Sequence, residues 1–239
     1  IDVFVPPSAS QPVLDVLGSL RASVTVCPRR ETDPAGDPCV IRFREAVAAG
    51  SVPFGVQGTE NAWCRDGGRT LGWEISDEMG HRADRIFVQV GGGAFAACVG
   101  ASLRNSGVHP MLHAVQAEGC APLERAWRRA IATGGVDNVG ARWSECMWPW
   151  EDEPRSLADG ILDDETYDWI GVVDAMAHTG GSPVVAGEEH IVEAHRLAHA
   201  HTGIDVSPTG SAGLAGVLAI RDRIADAERV VVVFSGVRR

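Results

Sequence analysis

Residues 84–90, DRIFVQV, run without a break into Gly91, Gly92 and Gly93 and then into AFAACVGASLRN. This junction points to an α/β fold. The first piece has the β-branched and apolar content of a buried parallel strand, and residues 94–105 read as a helix of small apolar residues. Glycine permits positive φ and close backbone approach, while the first turn of the helix behind it presents unpaired N–H groups at the positive end of its dipole. That geometry is an anion site, most often for phosphate. The competing reading is a tight strand-to-helix turn in which the glycines serve packing alone.

The rest of the chain repeats this alternation. Strand-like segments at 2–6, 22–27, 52–56, 84–90 and 111–117 are interleaved with helix-like segments at 11–20, 37–49, 68–79, 94–105 and 122–132. A βαβα rhythm predicts open, mostly parallel sheets with helices on both faces. Residues 134–160, rich in Trp, Glu, Asp and Pro, break the rhythm and read as a long surface excursion. Helices follow at 188–201 and 211–225, and a valine-rich strand at 229–234 enters Ser235 and Gly236.

Charge and composition exclude several classes. A formal net charge of -11 argues against a nucleic-acid surface, which needs a clustered positive field. No apolar run reaches the roughly 18 residues of a membrane span, and a cytoplasmic location is the expectation. The six cysteines are scattered without a C-x-x-C pair, so they read as reduced thiols, several of them buried. All 21 Lys+Arg residues are arginine. With no lysine, no side chain here can form a Schiff base.

Four constellations could carry chemistry. Gly91-x-Gly93-x-x-Ala96 has the dinucleotide spacing, and Glu118 closes the next strand where an acid could take a ribose hydroxyl. His195 and His199 stand one turn apart near His190 and His201, but Arg196 occupies the place of a zinc protease's glutamate, and a solvated helix face is the plainer reading. Ser211, in TGSAG, lacks the first glycine of a nucleophile elbow and is expected to cap the helix behind it. Finally, if the glycine turn and the C-terminal strand share one parallel sheet, Gly91 to Gly93 and Ser235 lie together at its carboxyl edge. A phosphate on one strand end and a hydroxyl on the other suit a phosphorylated heteroaromatic.

The ordered set DVFVPPSAS at Asp2, GGRTLGWEI at Gly67, ADRIFVQVGGGAFAA at Ala83, HAVQAEGCAPLERA at His113, SLADGI at Ser156, the long run from Ser182 through GSAGLAGVL, and VVVVFSG at Val230 resembles a known family. It is similar to the fold type II pyridoxal-phosphate enzymes, the tryptophan-synthase-β-like superfamily, and most of all to the threonine synthases. The resemblance implies that Gly91, Gly92, Gly93 and Ala94 form the phosphate-binding loop of pyridoxal 5′-phosphate. It also implies that Ser235 faces the pyridine nitrogen, which a hydroxyl leaves unprotonated. Residues 1–60 would be the remainder of a smaller N-terminal α/β domain and 61–239 the larger phosphate-binding domain.

The departures from the family carry information too. The Schiff-base lysine and the loop that holds the substrate carboxylate would precede Ile1, so no catalytic residue of the family falls within this chain. Ser207 stands where relatives often have glutamate. The expectation is the body of a lyase, truncated or split, and inactive as this chain alone. When complete it would convert O-phosphohomoserine and water to threonine and phosphate, as a homodimer acting on a small amino-acid substrate. A serine/threonine dehydratase, a β-replacement synthase and a degenerate, non-catalytic domain are the rival readings. The Trp-rich segment at 143–150 is read as either a substrate-closing segment or surface packing.

Overall fold

The computed structural model describes residues 1–236, which divide into two compact units, Ile1–Phe54 and Gly55 onward. The division falls six residues before the boundary expected at 60. In the first unit β1 (Asp2–Val5), α1 (Gln11–Ser19), β2 (Ser23–Val26) and α2 (Pro38–Ala48) follow one another. The two strands pair in parallel, with Asp2 opposite Ser23 and Val5 opposite Val26. Asp37 starts α2 by accepting the Cys39 N–H at 2.6 Å, and Pro38 at the first helical position has no N–H to leave unsatisfied. The guanidinium of Arg42, 6% exposed, pairs with Asp33 and Glu45.

The strand expected at 52–56 does not form. Val52 and Phe54 are 88% and 80% exposed, and Pro53 between them has no N–H to give to a ladder.

The second unit contains α3 (Ala62–Gly67), α4 (Thr70–Met79), β3 (Arg85–Gln89), α5 (Ala94–Asn105), β4 (Met111–Ala117), α6 (Pro122–Ala132), α7 (Trp143–Cys146), α8 (Trp169–Thr179), β5 (Pro183–Ala186), α9 (Glu188–Thr202), α10 (Pro208–Ala219) and β6 (Val230–Val232). Its sheet is parallel throughout, in the order β5-β4-β3-β6. Arg85 of β3 lies opposite Met111 on one side and Val230 on the other. The sheet is covered on both faces, which is why β3 reads as a nearly unbroken apolar run. Ile86, Val88 and Val90 enter one core with α5, α6 and α8, while Phe87 and Val115 enter the other with α9 and α10.

Close packing on the second face depends on the small residues of α10. A Cβ on Gly216 would stand 2.3 Å from a Val115 methyl, so any larger residue would lift the helix off the strand. Ser207, not Ser211, caps this helix: its hydroxyl accepts the Gly210 N–H at 3.0 Å. Ser211 is wholly buried one turn later and donates back to the Ser207 and Pro208 carbonyls, which corrects its assignment as a cap. The helix also runs from 208 to 219 rather than from 211 to 225.

The 134–160 excursion is largely irregular and pinned to α6. The Arg125 guanidinium lies 4.2 Å from the Trp148 ring centroid and binds Glu151 at 2.5 Å. Among the described residues no helix is long and apolar enough to cross a membrane.

Candidate functional site

The strand order turns back at β3: β4 and β5 lie on one side, and β6, the last strand in the chain, lies on the other. Open α/β sheets hold ligands just outside the carboxyl ends of the strands at such a reversal. The glycine turn follows β3 and Ser235 follows β6, so the reversal brings together the residues that the sequence marked. They line one cavity of about 390 Å³ with Gln89, Gln57, Asp163 and Thr209. That volume is in the ordinary range for small-molecule sites, about 300–1,000 Å³.

The turn is built to expose donors. Gly93 takes the N-cap position of α5 with φ 90, a left-handed conformation natural only to glycine, and brings no capping side chain. A Cβ there would also meet the Thr166 methyl at 2.8 Å. Among the described residues, no acceptor is paired with the N–H groups of Gly92, Gly93, Ala94 or Phe95; the first bond of the helix is Ala97 N–H to the Gly93 carbonyl at 3.0 Å. The turn is held from behind, where the Asp168 N–H donates to the Gly92 carbonyl at 2.7 Å. Asp163 approaches from the side, within 2.2 Å of where a Gly91 Cβ would stand.

Across the cavity, Gln89 Nε2 donates to the Ser235 hydroxyl and, at 3.4 Å, to the Gly210 carbonyl. Ser235 therefore accepts from Gln89 and keeps its own proton to donate. The Gln89 Oε1 is buried without a partner. Gln57, Gln89, Asp163 and Thr209 line the cavity without having been marked in the sequence; for Gln89 alone there is a signal, a glutamine closing an otherwise apolar buried strand two residues before the turn. Ser207 fixes the end of this wall: its N–H donates to the Gly236 carbonyl at 2.7 Å, while its hydroxyl is committed to Gly210.

The other candidates resolve into structural roles. Glu118 does not line the cavity; its N–H donates to the Ala186 carbonyl at 2.9 Å and extends the β4–β5 pairing. The His195 and His199 rings meet edge to face at 4.6 Å, and His199 Nε2 lies 2.9 Å from the Val206 carbonyl. Among the described residues no group of three or more His, Cys, Asp or Glu is placed to hold a metal. All six cysteines are free thiols. Burial pushes Cys120 up to about 12, and its thiol is turned to the Asp163 carbonyl, so it is no nucleophile.

The remaining buried polar groups are scaffold. Gln116 caps α6 by accepting the Leu123 and Glu124 N–H groups at 2.9 and 3.2 Å. His113 stacks on Phe87 and lies 3.1 Å from both the Ser182 carbonyl and an Arg85 nitrogen. Arginine can only donate, so His113 Nε2 is the bare acceptor and Nδ1 carries the proton. Burial holds this imidazole below its usual pKa.

Comparison with known proteins identifies the family. The family model described as "Pyridoxal-phosphate dependent enzyme" matches residues 1–236. The threonine synthase of Methanocaldococcus jannaschii is 23% identical over 185 residues, which are 74% of this chain and 42% of that protein. The processed form of threonine deaminase isoform 2 from Solanum lycopersicum superposes with a TM-score of 0.74 at 16% identity, covering 100% of this chain and 62% of that one. Maize serine racemase gives 0.72 at 16% identity, covering 98% and 65%. The chain thus spans under half of its curated relative and under two thirds of these solved structures, whose fold it shares. Matched by the family model over its whole described length, the chain belongs to the pyridoxal-phosphate-dependent enzymes, and its cofactor is pyridoxal 5′-phosphate.

Proposed function

We propose that Gly91, Gly92, Gly93, Ala94 and Ser235 hold the cofactor, and that the complete protein is a carbon–oxygen lyase of the threonine synthase type. The observation that carries the site is the pairing of unsatisfied N–H donors on one strand end with a donor-ready hydroxyl on its neighbour, across one cavity. The residues present fit the group. The N–H groups of the glycine turn would take the phosphate, with the α5 dipole adding to their attraction. Asp163 places a carboxylate on the Gly91 side, so the anion would sit toward Gly92, Gly93 and Ala94.

Ser235, held by Gln89, would donate to the pyridine nitrogen. A hydroxyl cannot surrender its proton near neutral pH, so the ring would stay neutral. When bound, pyridoxal phosphate supplies an electron-withdrawing ring that stabilises negative charge at the substrate's α-carbon. A neutral ring makes that sink moderate, which suits elimination and replacement at the neighbouring carbons. No lysine stands in this chain to bind the cofactor covalently or to move the α-proton, so this chain alone is expected to bind without turning over.

Sequence similarity to a threonine synthase favours O-phosphohomoserine as substrate, giving threonine and phosphate. A second reading, a serine or threonine dehydratase, is favoured by the shared fold with threonine deaminase and serine racemase. Titrating the chain with pyridoxamine 5′-phosphate and with unphosphorylated pyridoxamine tests the site without any lysine. At least tenfold tighter binding of the phosphate ester is expected, and equal binding would refute it. Adding an upstream segment that bears the lysine, then supplying phosphohomoserine or threonine, separates the two lyases: release of inorganic phosphate marks the first and ammonia the second.

A further inference from the structure

A larger cavity, about 480 Å³, lies on the far side of the glycine turn and has no part in the site just described. Its wall contains Arg65, Asp168, Trp143, Ile170 and Val139. Arg65 and Asp168 converge at Gly58, whose Cβ position lies 2.0 Å from the Arg65 stem and 2.8 Å from Asp168 Oδ1. Yet they do not satisfy each other: among the described residues Arg65 makes no hydrogen bond or ion pair. Asp168, 4% exposed, binds the Gly58 N–H through Oδ2 at 2.7 Å. A cation and an anion held side by side but apart, with aliphatic and indole surface next to them, match one ligand chemistry. We infer that this cavity binds a free α-amino acid with an apolar side chain, its carboxylate on Arg65, its ammonium on Asp168 and its side chain against Trp143 and Ile170.

The location gives binding a consequence. The same Asp168 whose carboxylate faces this cavity donates its backbone N–H to Gly92 in the phosphate turn. An amino acid on the carboxylate is therefore one residue away from the cofactor's anchor.

The test is calorimetric titration of the 239-residue chain with L-leucine, 4-methylpentanoate and isoamylamine, which share a side chain and differ in charge. Leucine is expected to bind at least tenfold tighter than either singly charged analogue. Arg65→Gln, which keeps the start of the stem beside Gly58 and removes no hydrogen bond or ion pair, is expected to weaken leucine at least tenfold with little change in melting temperature. Saturating pyridoxamine 5′-phosphate is expected to leave a leucine site in place. Equal binding of the three probes, no binding of leucine, an unaffected Arg65→Gln protein, or strict displacement by pyridoxamine 5′-phosphate would each overturn the inference. The last would put leucine in the glycine-turn cavity instead.

Discussion

Gly93→Ala separates the architecture of the turn from its chemistry. Gly93 sits at φ 90, and an alanine there costs about 1–2 kcal/mol in backbone strain. Its methyl would stand 2.8 Å from the Thr166 methyl and 3.3 Å from a Val172 methyl, both on wholly buried residues that cannot swing into solvent. Overpacking of that kind costs about 1–3 kcal/mol more. The sum is about 2–5 kcal/mol of stability. Urea unfolding followed by tryptophan fluorescence reads it cleanly, because all 7 tryptophans, from Trp63 to Trp169, lie in the second unit. The midpoint should fall with an unchanged slope. A loss below about 1 kcal/mol would mean that the turn relaxes freely, and the claim that it is rigidly pre-shaped for an anion would fail.

Three further outcomes are expected. Gly92→Ala meets only ordinary contacts, 3.4 Å to Tyr167 and 3.6 Å to Asp163, so stability should stay within about 1 kcal/mol while pyridoxamine 5′-phosphate binding drops at least tenfold; retained binding would remove the phosphate from this turn. Ser235→Ala deletes one neutral hydrogen bond, worth about 0.5–1.5 kcal/mol or roughly 2- to 12-fold in affinity for the same probe, and a titration showing no change would move the ring nitrogen elsewhere. His113 is held neutral by burial, so the unfolded chain takes up a proton near pH 6.5 that the folded chain resists. Its stabilisation is whole above that pH and is lost as the pH falls below it. His113→Gln should flatten this part of the acid limb in urea melts, and an identical slope in the variant would count against the assignment.

Much of this was legible in the chain itself. Residues 94–105, 111–117 and 122–132 form the elements their patterns predict: α6 buries Leu123, Ala126 and Ala130 at helical spacing, while β4 and α5 are nearly continuous apolar or small runs buried on more than one side. The stretch 161–187 was not legible. Ile170-Gly171-Val172-Val173 is an unbroken apolar run although Ile170 is exposed, so the buried face of α8 shows no helical stripe in the sequence, and β5 is four residues opening on proline. Ser207 and Ser211 both precede small residues, and only the φ and ψ of the chain decide which one caps. Gly91 to Gly93 and Ser235 could be marked separately, since glycine and a strand-terminal serine announce themselves. The convergence of Arg65 with Asp168 could not, because it depends on a contact between segments far apart in sequence.

Strand order also sets an order of events. The hydroxyl proposed to face the cofactor ring is held by Gln89 across 146 positions of sequence, through a strand that pairs with β3 only after β4 and β5 have been made. During synthesis, then, the phosphate turn can form well before its opposite wall exists. A nascent chain at that stage would grip the cofactor by its phosphate alone, and docking of β6 would convert a loose anchor into a closed two-point clamp. Pyridoxal phosphate present during refolding should accordingly act late, slowing the loss of β6 rather than speeding the first collapse of the sheet.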